Sequence, residues 1–320
     1  MTRVLITGAN GFIGTALCKQ LAAEGFLIKG AYRSAKTADS SANNIEKVIV
    51  GEIHASTDWQ EALREVNIVV HLAARVHVMQ ETDSDPLAAF HRVNTEGTLN
   101  LAEQAARSDV KRMIFLSTIK VNGEQTQVAY SASNQANASD PYALSKWNAE
   151  QGLRTVSNKS DMEIVIIRPP LVYGPQVKGN FLRLITLINK GWPIPLASVK
   201  NKRSMVSVDN LCDLIKTCMA NPKANGELFL VSDGHDLSTP ELIRLIAESM
   251  KKSVKLLPFP VPLLYFIAGL IHKRQEVERL CGSLVVDIQK NREILGWQPP
   301  FSAVDSVRKT VARYLRQKID

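Results

Sequence analysis

The chain has 320 residues, 45% hydrophobic and 22% charged, enough for one large α/β domain with a smaller companion and too balanced for a disordered, collagen-like or coiled-coil chain. Its formal net charge of +8 comes from Lys and Arg scattered without aromatic-interleaved runs, which argues against a nucleic-acid partner. The four cysteines, Cys18, Cys212, Cys218 and Cys281, lack metal-ligand spacing and read as free, buried thiols of a reducing compartment, with no metal site.

The N-terminus opens directly on Val4-Leu5-Ile6 with no signal-like segment, so a cytoplasmic location is expected. Strands are predicted at 4–7, 27–32, 47–50, 68–72, 112–117 and 164–168, alternating with helical patterns. One helix shows Ile13, Leu17 and Leu21 on a single face and is stopped by Gly25; another joins Leu99 to Ala102, Ala105 and Ala106. Such alternation predicts an α/β fold, a Rossmann-type doubly wound parallel sheet with helices on both faces. The polar tract 131–139 reads as a mobile loop.

After Arg168 the pattern breaks. Pro169, Pro170, Gly174, Pro175, Gly179, Pro193 and Pro195 punctuate short elements with one helix near 181–189, the start of a smaller, discontinuous α/β substrate lobe. The run 205–208, a helix over 209–219 and a strand at 228–231 are expected to return to the sheet. The dinucleotide-binding domain is therefore placed at 1–170 plus about 205–235, and the substrate lobe at about 171–204 and 236–320. The apolar stretch 256–271 is interrupted by Pro258, Pro260 and Pro262 and falls short of the roughly 20 residues of a membrane span. It is expected as a helix packed on the second lobe; its flank of His272, Lys273 and Arg274 leaves peripheral membrane contact as an alternative.

The first strand runs into Gly8-Ala9-Asn10-Gly11-Phe12-Ile13-Gly14 and then a helix, which is a dinucleotide fingerprint in its proper setting. Glycines allow a tight turn and close backbone approach, and the helix N-terminus offers free N–H groups to a pyrophosphate. At the end of the second strand, where an acidic residue would select NAD, the chain has Tyr32, Arg33 and Ser34. Arg33 and Ser34 suit a 2′-phosphate, which favours NADP over NAD; if Arg33 only stacks on adenine, both cofactors are usable. Glu52 and Ile53 follow the third strand, and Leu72, Ala73 and Ala74 close the fourth, where small side chains let a cofactor lie across the strand ends.

Asp140-Pro141-Tyr142 reads as N-cap, first helical position and helix start, and Tyr142 and Lys146, four apart, share a face. An ammonium about 5 Å from the phenol is worth roughly 3 kcal/mol at an effective dielectric of 20, and is expected to hold Tyr142 well below its usual value near 10. Thr118, with Ser117 behind it, ends the fifth strand and supplies a hydroxyl for the reacting oxygen.

These residues together resemble the extended short-chain dehydrogenase/reductase family of NAD-dependent epimerases and dehydratases. The likeness extends to His71-Leu72-Ala73-Ala74-Arg75-Val76-His77, Ser117-Thr118-Ile119-Lys120-Val121-Asn122-Gly123-Glu124 and Arg168-Pro169-Pro170-Leu171-Val172-Tyr173-Gly174-Pro175, and is greatest to bacterial nucleotide-sugar enzymes acting at C4. The resemblance implies a catalytic triad of Thr118, Tyr142 and Lys146, an active-site support residue at Asn94, and a homodimer formed through the helices near Asn94 and Tyr142. It also implies a substrate diphosphate held near Lys178, Asn180 and Arg203, with Arg274 and Arg279 as further candidates and Ser117, Arg75 or His77 beside the sugar.

Three departures shape the reaction. Dehydratases of the family carry an acid pair where this chain has Ile119 and Lys120, which disfavours elimination. Related epimerases keep NAD with an acid where Tyr32 stands, so Arg33 favours net reduction; and the family's usual asparagine is Leu171 here, leaving that diphosphate contact without a counterpart. The leading expectation is a UDP-4-keto-6-deoxy-N-acetylhexosamine 4-reductase of the UDP-N-acetylquinovosamine type, serving surface polysaccharide. A UDP-hexose 4-epimerase acting on UDP-glucose or UDP-N-acetylglucosamine stands close behind. A non-catalytic NADP-binding regulatory protein and a reductase of small apolar carbonyls complete the alternatives.

Overall fold

The computed structural model describes residues 1–38, 45–76 and 85–317. A seven-stranded sheet is built from β1 (Arg3–Thr7), β2 (Leu27–Tyr32), β3 (Ile45–Ile49), β4 (Ile68–His71), β5 (Arg112–Leu116), β6 (Glu163–Arg168) and, later in the chain, a strand at Leu228–Leu230. The helices are α1 (Phe12–Ala23), α2 (Gln60–Leu63), α3 (Pro86–Phe90), α4 (Gly97–Arg107), α5 (Pro141–Ser157) and α6 (Gly179–Asn189), then α7 (Val208–Ala220) and α8 (Thr239–Ser249). The last four are α9 (Val261–Leu270), α10 (Arg274–Cys281), α11 (Gln289–Leu295) and α12 (Ala303–Arg316). Every pairing in the sheet is parallel, so each crossover needs a helix, and the central strands are apolar on both faces.

Strand alternation sorts the core. Val4, Ile6, Val70, Ile114 and Val165 face Leu17, Cys18 and Leu21 of α1 and Leu211 and Ile215 of α7. Leu5, Val69, Met113, Phe115 and Ile166 face Leu101, Ala102 and Ala105 of α4 and Ala149 and Leu153 of α5. Because β1 lies between β2 and β4, strand order reverses at its carboxyl end, where α/β sheets leave a ligand crevice.

The two remaining short strands, β7 (Leu171–Tyr173) and β8 (Met205–Ser207), pair with each other, with Leu171 opposite Met205, and do not join the main sheet. This corrects the expectation that 205–208 returns there. Pro169 and Pro170 offer no backbone donor to continue the ladder, and the edge beside β6 is taken by β9 (Leu228–Leu230), docked in part by the Gly226 amide donating to the Ile164 carbonyl.

A third apolar cluster, beyond the main sheet, is formed by Tyr173, Phe181, Ile185, Ile188, Leu242, Ile243, Ile246, Val307 and Val311. Helix α9 touches it through half-buried Val261 and Leu264 and buries only Ala268, so the packed helix expected there is anchored on one face alone. In the tract 131–139 the Ser131 amide donates to Asn134 Oδ1 in a local turn, and the Asn137 amide donates to the Val121 carbonyl. Of the four thiols, three are buried and Cys281 is half-buried, because α10 lies at the surface. Among the described residues no helix is long and apolar enough to cross a membrane.

Candidate active site

The crevice at the β1 switch point is a cavity of about 760 Å³ whose wall includes Gly8, Asn10, Gly11, Phe12, Ile13 and Gly14. Gly8 has φ +67°, and a Cβ built on Gly14 would meet the Gly8 carbonyl oxygen at 2.1 Å, so the turn closes only with glycine. Gly11 caps α1 without a side-chain hydrogen bond, leaving the first-turn N–H groups open to an anionic group. Arg33, Glu52, Ile53, Leu72, Ala73, Ala74 and Arg75 complete the wall, with Tyr32 and Gly51. The glycine cradle and the unpaired first-turn N–H groups fit the pyrophosphate of a dinucleotide. Ser34 stands apart: its amide donates to Thr37 Oγ1 at 3.1 Å and its hydroxyl lies 3.4 Å from the same oxygen, so it closes a local turn.

The floor of the cleft rests on a chain of hydrogen bonds that the sequence did not disclose. Thr7 Oγ1 accepts the Leu72 and Ala73 amides at 3.2 and 3.1 Å, so its own proton goes to His71 Nδ1, 2.7 Å away. His71 Nε2 then donates to Thr98 Oγ1 at 3.0 Å, and Thr98 donates to the Asn94 carbonyl at 2.7 Å. Burial and the nearby Lys146 charge push His71 down to about 3, which keeps the ring neutral and leaves its tautomer to the hydrogen bonds with Thr7 and Thr98. Asn94 lies in a π-helical turn, His91–Glu96. Its side chain bonds both backbone groups of Arg75 and donates to Ser145 Oγ, tying the cleft to α5 from behind.

At the other end a second cavity, about 260 Å³, brings together Thr118, Tyr142, Arg203 and Arg279, with Lys120, Leu171 and Glu278. Thr118 caps a 3-10 turn at Ile119–Val121. Asp140 caps α5 through the Ala143 amide, as expected, and Lys120 Nζ binds both Asp140 Oδ2 at 2.5 Å and Glu124 Oε1 at 2.6 Å. The lysine that replaces the acid pair thus clips the Thr118 turn to the Tyr142 helix.

The expected lowering of the Tyr142 phenol is absent. Burial, with the Asp140 charge behind it, pushes Tyr142 up to about 12, while Lys146 Nζ donates to the Leu116 carbonyl at 2.8 Å over the face of Phe115. Lys146 is itself pushed down to about 7 by burial, against the pull of Glu150. The free site therefore holds a protonated phenol at Tyr142 and, four residues on, a buried ammonium at Lys146 that surrenders its proton easily.

Ser117 does not face this cavity. It donates to Glu150, whose carboxylate is forked by Arg168 Nε at 2.9 Å and Nη2, while Arg168 Nη1 reaches Asn122 Oδ1 at 2.8 Å. All four side chains are buried. Burial, reinforced by the Arg279 charge, lowers the Arg203 guanidinium, which donates to the Gly282 carbonyl at 3.0 Å. Lys178 and Asn180 lie exposed at the start of α6, and Arg274 is exposed and bonded to Glu278 at 3.2 Å; none of the three lines either cavity. His77 lies outside the described residues.

A glycine cradle at the sheet's switch point, with a threonine just past the end of β5 and a tyrosine and a buried lysine on α5, defines a Rossmann-type oxidoreductase. The sequence model of the NAD dependent epimerase/dehydratase family matches residues 4–232, and the chain belongs to that family. A UDP-glucose 4-epimerase of Vibrio cholerae is 45% identical over 317 residues, covering 98% of this chain and 95% of that protein. An N-acetyl-alpha-D-glucosaminyl-diphospho-ditrans,octacis-undecaprenol 4-epimerase of Escherichia coli O157:H7 is 30% identical over 81% of this chain and 76% of its own length. Among solved structures, a UDP-glucuronic acid 4-epimerase from Bacillus cereus superimposes with a TM-score of 0.81 over the whole of both chains at 21% identity.

Proposed function

We propose that this chain is an NAD-dependent nucleotide-sugar 4-epimerase, acting on a UDP-hexose or UDP-N-acetylhexosamine. The observation that carries it is that Thr118 and Tyr142 share a cavity with Arg203 and Arg279, so that a hydroxyl-bearing ring and a diphosphate each find their partners in one place. The 4-reductase reading placed first on sequence grounds now stands second. It rested on Arg33 in place of an acid, whereas the likeness to the Vibrio cholerae epimerase runs nearly end to end.

The dinucleotide would be held by Gly8, Gly11 and Gly14, by Arg33, and by Leu72, Ala73 and Ala74. When bound, NAD supplies a reversible hydride acceptor for C4. In its phenolate form, once the phenol has given up its own proton, Tyr142 takes the proton of the C4 hydroxyl as that carbon is oxidised and returns it as the carbon is reduced, and Thr118 holds the oxygen between. Lys146 lends its charge to the phenolate form, and Arg203 and Arg279 anchor the diphosphate while the sugar presents either face. Arg33 lies at the adenosine end; a 2′-phosphate contact there would reverse the preference toward NADP, and side-by-side affinities for the two dinucleotides decide it. The lobe around the third core cluster, about 171–204 with 236–320, serves as the substrate domain. A homodimer through the α4 and α5 region accompanies this reading and is checked by sedimentation.

The test is incubation of the purified chain with UDP-glucose and UDP-N-acetylglucosamine without added reductant, following C4 inversion by proton NMR. Appearance of the C4 epimer with no net cofactor consumption is expected, and Tyr142→Phe should slow it by roughly 10²- to 10⁴-fold while dinucleotide affinity stays within about twofold. Stoichiometric oxidation of NADPH or NADH by a UDP-4-keto sugar, with no epimer formed, would overturn the epimerase in favour of the reductase.

A further inference from the structure

The outer face of α9 is a continuous apolar stripe. Leu263, Phe266, Ile267 and Leu270, with Ile271 just past the helix end, recur at helical spacing and are 42%, 64%, 43%, 68% and 58% exposed. The opposite face already packs on the second lobe, through Val261, Leu264 and Ala268, so the stripe is surplus to folding. Leu257, ahead of the helix, adds a further exposed apolar side chain. Exposed cations bracket the stripe: Lys255 before it, and Lys273 and Arg274 after it, in a chain of formal net charge +8.

From this we propose that α9 docks in the plane of an anionic phospholipid surface, with the five side chains in the acyl boundary and Lys255 and Lys273 at the headgroups. Helix α9 has ten residues, about 15 Å, which lies along an interface and cannot span it. The stripe offers on the order of 500 Å², less than the roughly 800 Å² per partner of a stable protein interface, which disfavours a second copy of the chain as its cover. A bilayer demands no shape complementarity, and it matches both the apolar face and the basic ends. Helix α10 follows directly and packs on α9, and its Glu278 and Arg279 line the cavity shared with Thr118 and Tyr142. Docking would hold the mouth of that cavity close to the membrane surface.

The experiment is flotation of the full chain with vesicles of phosphatidylcholine alone and of phosphatidylcholine mixed with phosphatidylglycerol. Binding is expected to the anionic vesicles, to fall with added salt, and to drop tenfold or more in a Phe266→Asp/Leu270→Asp variant whose near-UV circular dichroism matches that of the parent. Lys255→Gln and Lys273→Gln leave the apolar face intact and should each weaken binding about fivefold. Absence of binding to the anionic vesicles, binding that ignores lipid charge, or binding unchanged in these variants would overturn the proposal. So would a sedimentation-detected dimer that Phe266→Asp/Leu270→Asp converts to monomer, because a second copy would then cover the stripe.

Discussion

At Lys146 an ammonium sits inside the core. Burial opposes its charge and lowers it from 10.5 to about 7, although it donates to the Leu116 carbonyl and faces the Phe115 ring. The unfolded chain therefore binds more protons than the folded one between about pH 7 and 10.5, and in that window stability rises with pH by up to about 1.4 kcal/mol per pH unit. Below pH 7 both states carry the proton and the cost is constant. Denaturant titrations of the parent and of Lys146→Met from pH 6 to pH 10 are expected to show their difference narrowing or reversing as pH rises. Parallel curves would mean that Lys146 does not feel its burial. The same depressed value has a use at the site: a lysine near neutrality takes up charge cheaply when a phenolate forms beside it.

Elements β5, β6 and α5 are locked together by the Glu150–Arg168 pair, with Ser117 on the carboxylate and Asn122 on the guanidinium. This lock sits directly beneath the turn that presents Thr118. Glu150→Gln keeps the shape but leaves the Arg168 charge uncompensated in the core, and should cost about 3–5 kcal/mol; replacing both residues by methionine should recover most of it. Chemical denaturation of the two variants tests this, and equal stabilities would show the pair to be energetically idle. The pairing was not legible in the sequence, because Glu150 is an interior helix residue and Arg168 a strand end, and no local rule joins them. By contrast, the glycine turn, the Asp140–Pro141 helix start and the alternation of strands were all readable, since each depends on neighbours in the chain. The run 205–208 was misassigned for a related reason: β-character is local, whereas the choice between the main sheet and β7 is made by Pro169, Pro170 and the competing β9 strand. Tyr142 was misread at the same level, its spacing to Lys146 being right, but the burial and the Asp140 charge that push the phenol up depend on the fold around it.

Asp233 lies between the apolar cluster of the main sheet and the third apolar cluster. One carboxylate oxygen accepts the Tyr173 hydroxyl at 2.6 Å; the other accepts the Ser207 amide at 2.8 Å and Asn210 Nδ2 at 2.7 Å. Asn210 in turn exchanges hydrogen bonds with both backbone groups of Phe301, just ahead of α12, so one side chain gathers β7, β8, α7 and the C-terminal segment. The carboxyl is pushed up by burial even though all its partners pull it down, which marks a site where solvation was given up for these bonds. Asp233→Ala removes the shared acceptor, leaving the Ser207 amide unpaired, Asn210 Nδ2 with the Phe301 carbonyl alone and the Tyr173 hydroxyl with the Ala303 carbonyl at 3.2 Å, so a loss of about 1–3 kcal/mol is expected. Because the bonds join the apolar clusters of the sheet and of the second lobe, the loss should fall on cooperativity as well as on midpoint. Calorimetry should show the parent's single transition broadening or splitting in Asp233→Ala, with the calorimetric enthalpy exceeding the van't Hoff value. A sharp single transition at an unchanged temperature would mean that hydrophobic contact alone couples the two parts. Asp233→Asn separates charge from geometry: its amide retains one acceptor oxygen, so it should fall between the parent and Asp233→Ala if hydrogen bonds carry the coupling.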